Sequence, residues 1–140
     1  MNTASKRFAE IRLKDKAQFE VDITAKLVEN FAKLSGDYNP LHTDARYAKT
    51  TSFGETIPHG MIAGALFSRL IGMYLPGERS LYLSQTLFFR KPMRVGMEAI
   101  ISGEVTHLTH AQHTVVVATT LCNKKNGDVL VDGEAMVKIV

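Results

Sequence analysis

At 140 residues, 45% hydrophobic and with a formal charge of +3, the chain can bury one sizeable core but is too short for two ordinary domains. Its single cysteine, Cys122, excludes an intramolecular disulfide and any multi-cysteine zinc centre; a chain without such staples suits a reducing compartment, so the cytoplasm is the expected location. Nucleic acid would call for a basic stripe interleaved with aromatics, whereas the basic residues are scattered and come together only as Arg90-Lys91 and Lys124-Lys125.

The opening stretch MNTASKRFAEIRLKDK is polar and has no apolar signal-like core, and no later run reaches the length of a membrane span. The first element is a strand over 18–23, with Phe19, Val21 and Ile23 on one side and Gln18, Glu20 and Asp22 on the other. Thr24 then offers an N-cap. Leu27, Val28, Phe31 and Leu34 recur at helical spacing up to Gly36, which is free to take the left-handed conformation that ends helices. The segment SGDYNPLH follows. Residues 43–58 read as a long loop with one helical turn over 45–49, and loops of that length usually serve a site. The run GMIAGALFSRLIGMYL, 60–75, makes about four helical turns with Arg69 as its single charge, and stops at Pro76-Gly77. Apolar on nearly every face, it belongs inside the protein. Strands are expected over 81–89, 99–105, 114–121 and 129–140, with Asn126-Gly127 as the hairpin turn between the last two. One neighbouring helix cannot cover the long apolar helix, so the antiparallel sheet is expected to curl round it. That gives an α+β, single-domain chain over 1–140, the hot-dog arrangement.

Within SGDYNPLH, Asp37 supplies a carboxylate and His42 an imidazole just past a helix end. Asn39-Pro40 stiffens the segment, because the residue before proline is held extended and proline fixes its own φ. Five positions apart, the two side chains would not share a helix face, but a bend at Asn39-Pro40 turns both toward one point. Such a pair can hold a water, take its proton and return a proton elsewhere, acid–base work worth ~10² to 10⁴ in rate per group. Spacing alone leaves a plainer alternative, in which Asp37 and Asn39 make Asx-turn bonds and His42 bonds a loop carbonyl.

The longer stretch FAKLSGDYNPLHTDARYA, 31–48, resembles the signature of the MaoC-like, or type 2, (R)-specific enoyl-CoA hydratases. The aromatic, the small-Gly-Asp, the Asn-Pro-aliphatic-His and the trailing alanine are all present. The resemblance continues through FGETIPHGMIAGALFSRLIG and LYLSQTLFFRKPMRVG and so covers roughly residues 18–140. It implies a hot-dog homodimer with the catalytic loop in a tunnel near the subunit interface, hydrating trans-2-enoyl-CoA to (R)-3-hydroxyacyl-CoA. By the same resemblance Asp37 and His42 are catalytic, the N–H of Gly60 is the oxyanion donor, Asn39 supports the dyad, and Ser68 lies close to the acyl group. Coenzyme A comes as part of the substrate, with no further cofactor or metal. The product fits a supply of 3-hydroxyacyl units, for example toward polyhydroxyalkanoate monomers. The chemistry agrees with the residues: water adds to C3, negative charge builds on the thioester oxygen, and the free N–H groups of a helix start can meet it.

Other signals carry less. His59 is expected to bond locally and hold its turn, not to transfer protons. His107, His110 and His113 recur every three residues, but a strand would point His110 away from the others, so they read as exposed histidines at a strand junction and not as a metal site. Arg90-Lys91 can meet carrier phosphates or simply end a strand. No GxSxG elbow, phosphate loop, HExxH or dinucleotide fingerprint occurs. Three alternatives stand beside the hydratase: a dehydratase acting on acyl carrier protein, a hot-dog thioesterase, and a catalytically silent acyl-thioester-binding protein.

Overall fold

The computed structural model describes residues 2–140. A 3-10 turn at Phe8–Glu10 leads into β1 (Lys16–Asp22), whose partner is β4 (Glu98–Thr109). The helix α1 (Ala25–Ser35) begins and ends where its caps dictate. The Thr24 hydroxyl accepts the Leu27 N–H at 3.1 Å, a cap worth about 1 kcal/mol, and Gly36 takes φ 75° and donates its N–H to Ala32. Two single turns follow, α2 (Pro40–Thr43) and α3 (Ala45–Lys49), and then the central helix α4 (Ile62–Arg69). Its last turn, Leu70–Tyr74, widens to π geometry before Pro76 and Gly77 stop it.

The remaining strands are β2 (Ser80–Gln85), β3 (Phe88–Phe89), β5 (Thr114–Asn123) and β6 (Val129–Ile139). They form one six-stranded antiparallel sheet in the order β1-β4-β5-β6-β2, with β3 also on β6, so the sheet is open at β1 and β2. Alternation decides which residues face inward: Ile101 and Val105 on β4, Val117 and Leu121 on β5, and Ala135 and Val137 on β6 are fully buried. Against them α4 sets Ile62, Ala63, Leu66 and Phe67, and its π turn adds Leu70 and Ile71. The expected hot-dog architecture is therefore present.

Three details differ from the sequence expectation. The strand expected over 81–89 is two strands. Between them Thr86 donates its N–H to the Glu134 carbonyl and accepts the Glu134 N–H on its hydroxyl, so a side-chain oxygen takes the place of a ladder carbonyl while the register on β6 is kept. His42 lies on a helical turn, α2, where a plain bend was expected. The long helix is buried on one face only: Met61 is 54% exposed, and Ser68 is exposed too. Periodicity could not reveal this, since small and apolar residues occupy both faces.

Candidate active site

The site begins where α1 ends. Once Gly36 has turned the chain out of the helix, the Asp37 N–H donates to the Ser35 hydroxyl at 3.1 Å. The Asp37 Oδ1 in turn accepts the Asn39 N–H at 3.1 Å. Asn39 caps α2: its Oδ1 accepts the Leu41 N–H at 3.0 Å, and Pro40 occupies the first helical position, where a missing N–H costs nothing. That single turn carries His42 round to face the loop. There Nδ1 lies 2.7 Å from the Ile57 carbonyl oxygen. Because a carbonyl can only accept, Nδ1 carries the proton and Nε2 of the neutral ring is left basic and free.

The bonds of the plainer alternative are present, and they do not exhaust either side chain. Asp37 does make an Asx turn and His42 does bond a loop carbonyl, yet each uses only one of its polar atoms. The second atoms, Asp37 Oδ2 and His42 Nε2, are not taken by those bonds. One polar side-chain atom from each of Asp37, His42 and His59 falls within 4.8 Å of the others, a spacing close enough for Asp37 and His42 to share one water.

His59 departs furthest from expectation. It is 2% exposed, and its Nε2–H donates over 2.8 Å to the Asp37 carbonyl, 22 residues away, so it ties two loops together where a local turn bond was expected. Its ring lies 4.0 Å from that of His42 and 5.0 Å from that of Phe31. Sequence spacing holds no signal for such a partner.

Asp37, His42, His59 and Gly60 line one cavity of about 440 Å³, with Phe89 and Met93 on its apolar side. Gly60 sits in the turn that leads into α4, its carbonyl accepting the Ala63 N–H at 3.0 Å. Among the described residues no backbone or side-chain acceptor takes the Gly60 N–H, so it is available to a ligand. A Cβ there would lie 2.9 Å from the ring of Phe89, so any larger residue requires that exposed ring to move. Arg90 and Lys91 also border the cavity, each already paired with a carboxylate, Asp132 at 3.1 Å and Asp128 at 2.9 Å.

Ser68 is not among these residues. The resemblance puts it close to the acyl group; in the single chain it faces outward beside Met61 and Ala65, because Ile62, Ala63, Leu66 and Phe67 take the core side of α4. His107, His110 and His113 are exposed as expected, with His110 and His113 packed on Phe8.

A single antiparallel sheet laid on one long helix, with an acid–imidazole loop beside the start of that helix, defines a hot-dog protein. The chain belongs to the MaoC-like family: residues 8–126 match the family described as MaoC like domain. It is 43% identical over 124 residues to the (R)-specific enoyl-CoA hydratase of Aeromonas caviae, spanning 89% of this chain and 92% of that one. It is 39% identical over 119 residues to the 3-hydroxybutyryl-CoA dehydratase of Methylorubrum extorquens, spanning 84% and 74% of the two chains. Among solved structures, the unliganded R-hydratase PhaJ1 of Pseudomonas aeruginosa superposes with a TM-score of 0.89 at 40% identity, covering 94% of this chain and 84% of that one.

Proposed function

We propose that the protein is an (R)-specific enoyl-CoA hydratase, a hydro-lyase that adds water reversibly to trans-2-enoyl-CoA to give (R)-3-hydroxyacyl-CoA. The observation that carries this reading is the meeting, in one cavity, of a free carboxylate oxygen on Asp37, the unprotonated Nε2 of His42 and the unused N–H of Gly60. Relatives whose names state hydration and dehydration of such thioesters support it.

The hydrogen bonds already made suggest the division of labour. With Nδ1–H held by Ile57, His42 takes the proton of a water through Nε2, while Asp37 Oδ2 orients that water. The water oxygen bonds to C3 and the alkene electron pair moves toward the thioester oxygen, where the Gly60 N–H meets the charge, a donor worth ~10² to 10³ in rate. The dyad then returns a proton to C2 on the same face, which restores the neutral imidazole and leaves the 3-hydroxyacyl thioester. Asn39 supports the pair by capping α2 and fixing Asp37 Oδ1. In the net reaction every bond made or broken belongs to water and thioester, so the step as drawn uses no cofactor or metal.

The working unit in this proposal is a homodimer. Met61, Ala65 and Ser68 expose one stripe of α4, and the edge strand β2 exposes Leu81 and Leu83 beside an unpaired backbone edge. A second copy would cover both, bring Ser68 into a closed acyl tunnel and put the site near the interface. Sedimentation should therefore give a dimer, and Leu83→Lys should shift it toward monomer. Among the described residues no helix is long and apolar enough to cross a membrane. A cytoplasmic location, with the product feeding polyhydroxyalkanoate monomers, belongs to the same proposal; the lone Cys122 agrees with the location.

Incubation with crotonyl-CoA tests the reaction. The conjugated-alkene absorbance should fall with no release of free thiol, and chiral analysis should return the (R)-alcohol. Free thiol would mark a thioesterase, an unchanged spectrum would mark a binding protein, and an (S)-product would overturn the assignment. Equal or faster turnover of the same acyl chain on acyl carrier protein would move the substrate to that carrier.

A further inference from the structure

We infer that His59 is the positioning residue of this site: a neutral imidazole that holds the Asp37 backbone and the His42 ring in their working relation without itself transferring a proton. The inference rests on the hydratase reading above and deepens it. Four observations carry it. Nε2 of His59 is 2.8 Å from the Asp37 carbonyl oxygen, which can only accept, so Nε2 bears the hydrogen. The same nitrogen is 3.9 Å from Asp37 Oδ2, so the donor that fixes the backbone also sits beside the free carboxylate oxygen. One face of the ring packs on His42 at 4.0 Å while Phe31 of α1 lies 5.0 Å away, so His59 is wedged between α1 and α2 and the angle of the His42 ring depends on it. Finally, His59 Nδ1 is buried with no hydrogen-bond partner, the only such side-chain atom among the described residues.

The last point weighs most. Burying an acceptor with no donor is unfavourable, and a phenylalanine would fill the same space without that penalty. A histidine here is therefore explained by what its other nitrogen does. The bond from Nε2–H spans two segments that the chain brings together only on folding, and it sets where Asp37 stands relative to the start of α4, directly next to Gly60. A displacement of a reacting group by about 1 Å can cost ~10² in rate, so a side chain that touches no substrate atom can still govern turnover.

Three substitutions separate positioning from simple space filling. His59→Gln places an amide nitrogen as many bonds from Cα as Nε2 and can renew the bond to Asp37. His59→Asn places it where Nδ1 stands and cannot reach. His59→Phe keeps the ring and removes both nitrogens. The expected result is a ~10²-fold loss of kcat in His59→Asn and His59→Phe with KM changed by less than about threefold, and a kcat at least about tenfold higher in His59→Gln than in His59→Asn. Equal turnover of His59→Gln and His59→Asn, or wild-type turnover in His59→Phe, overturns the inference. If His59→Phe fails to fold, the Gln/Asn pair, both polar at the same buried point, still decides. A readout independent of the reaction is the nitrogen-15 spectrum of histidine-labelled wild-type protein, which should show His59 as the neutral Nε2–H tautomer. An Nδ1–H tautomer overturns the positioning role, whereas loss of hydratase activity in the wild type with the expected tautomer would overturn only the reaction.

Discussion

Two polar clusters border the protein's apolar interior and are finished differently. Under β2 and β5, the Tyr82 hydroxyl donates to Gln85 Oε1 at 2.5 Å, while the Gln85 amide donates to the Thr86 carbonyl at 2.8 Å and to the fully buried Thr119 hydroxyl at 3.0 Å. Each of the three side chains is used within the protein, as buried polar groups ordinarily are. Beside the start of α4 the accounts stay open. His59 strands a buried nitrogen, the Gly60 N–H is unused, and the bonds that fix Asp37 and His42 spend only one polar atom on each. Closed clusters stabilise and specify a fold. A cluster that the sequence holds rigid yet leaves unsatisfied keeps its bonding capacity for a ligand, and the cavity lies at this second one.

If that contrast is sound, substitutions at the open cluster should cost turnover and spare stability, whereas those at the closed cluster should do the reverse. The largest effect is expected from Asp37→Asn, which keeps size and removes charge. Turnover of crotonyl-CoA should fall by ~10³ to 10⁴ while the melting temperature stays close to wild type. Activity within tenfold of the parent would remove Asp37 from the chemistry. Next, His42→Ala should cost at least ~10² in kcat, and a smaller loss would demote the ring to orienting Asp37. Gly60→Ala should come third. Its N–H survives, but the new Cβ would lie 2.9 Å from the exposed Phe89 ring, which has room to yield. A shift of part of an ångström there predicts about a tenfold fall in kcat/KM, measured against an unchanged urea midpoint.

What could be read from the chain beforehand divides along the same line. The elements of the fold were legible because local rules set them: Thr24 and Gly36 bound α1, and alternation on β4, β5 and β6 fixes which face is buried. Asp37 and His42 were legible as a pair because Asn39-Pro40 confines the chain between them. That α2 is a helical turn was signalled by the same dipeptide, since an asparagine cap followed by proline starts a helix as readily as it bends a loop. His59 was not legible. Its partner is 22 residues away, and only the docking of the α4 lead turn against the end of α1 brings them together. The exposure of Ser68 was hidden for a different reason: the helical pattern shows which residues are apolar, but not that one face of α4 stays uncovered in a single chain.

The smallest effect is expected at the closed cluster, where Tyr82 reports through pH. Burial pushes its phenol from 10.0 up to about 12, since the charged form is the one that loses water. A group whose folded value is raised contributes stability that is complete below the unfolded value and fades as pH climbs toward the folded one. The wild type should therefore lose stability between about pH 10 and pH 12 through this residue, seen as a falling urea midpoint. Tyr82→Phe removes that titration and also the bond to Gln85, so it should start about 1 kcal/mol lower at pH 8 and then decline less steeply with pH than the parent. Its kcat on crotonyl-CoA should match wild type, because nothing in the closed cluster reaches the cavity. A tenfold loss of turnover in Tyr82→Phe without a change in the urea midpoint would mean that the two clusters are coupled, and the contrast between a structural and a catalytic polar site would fail at its structural end.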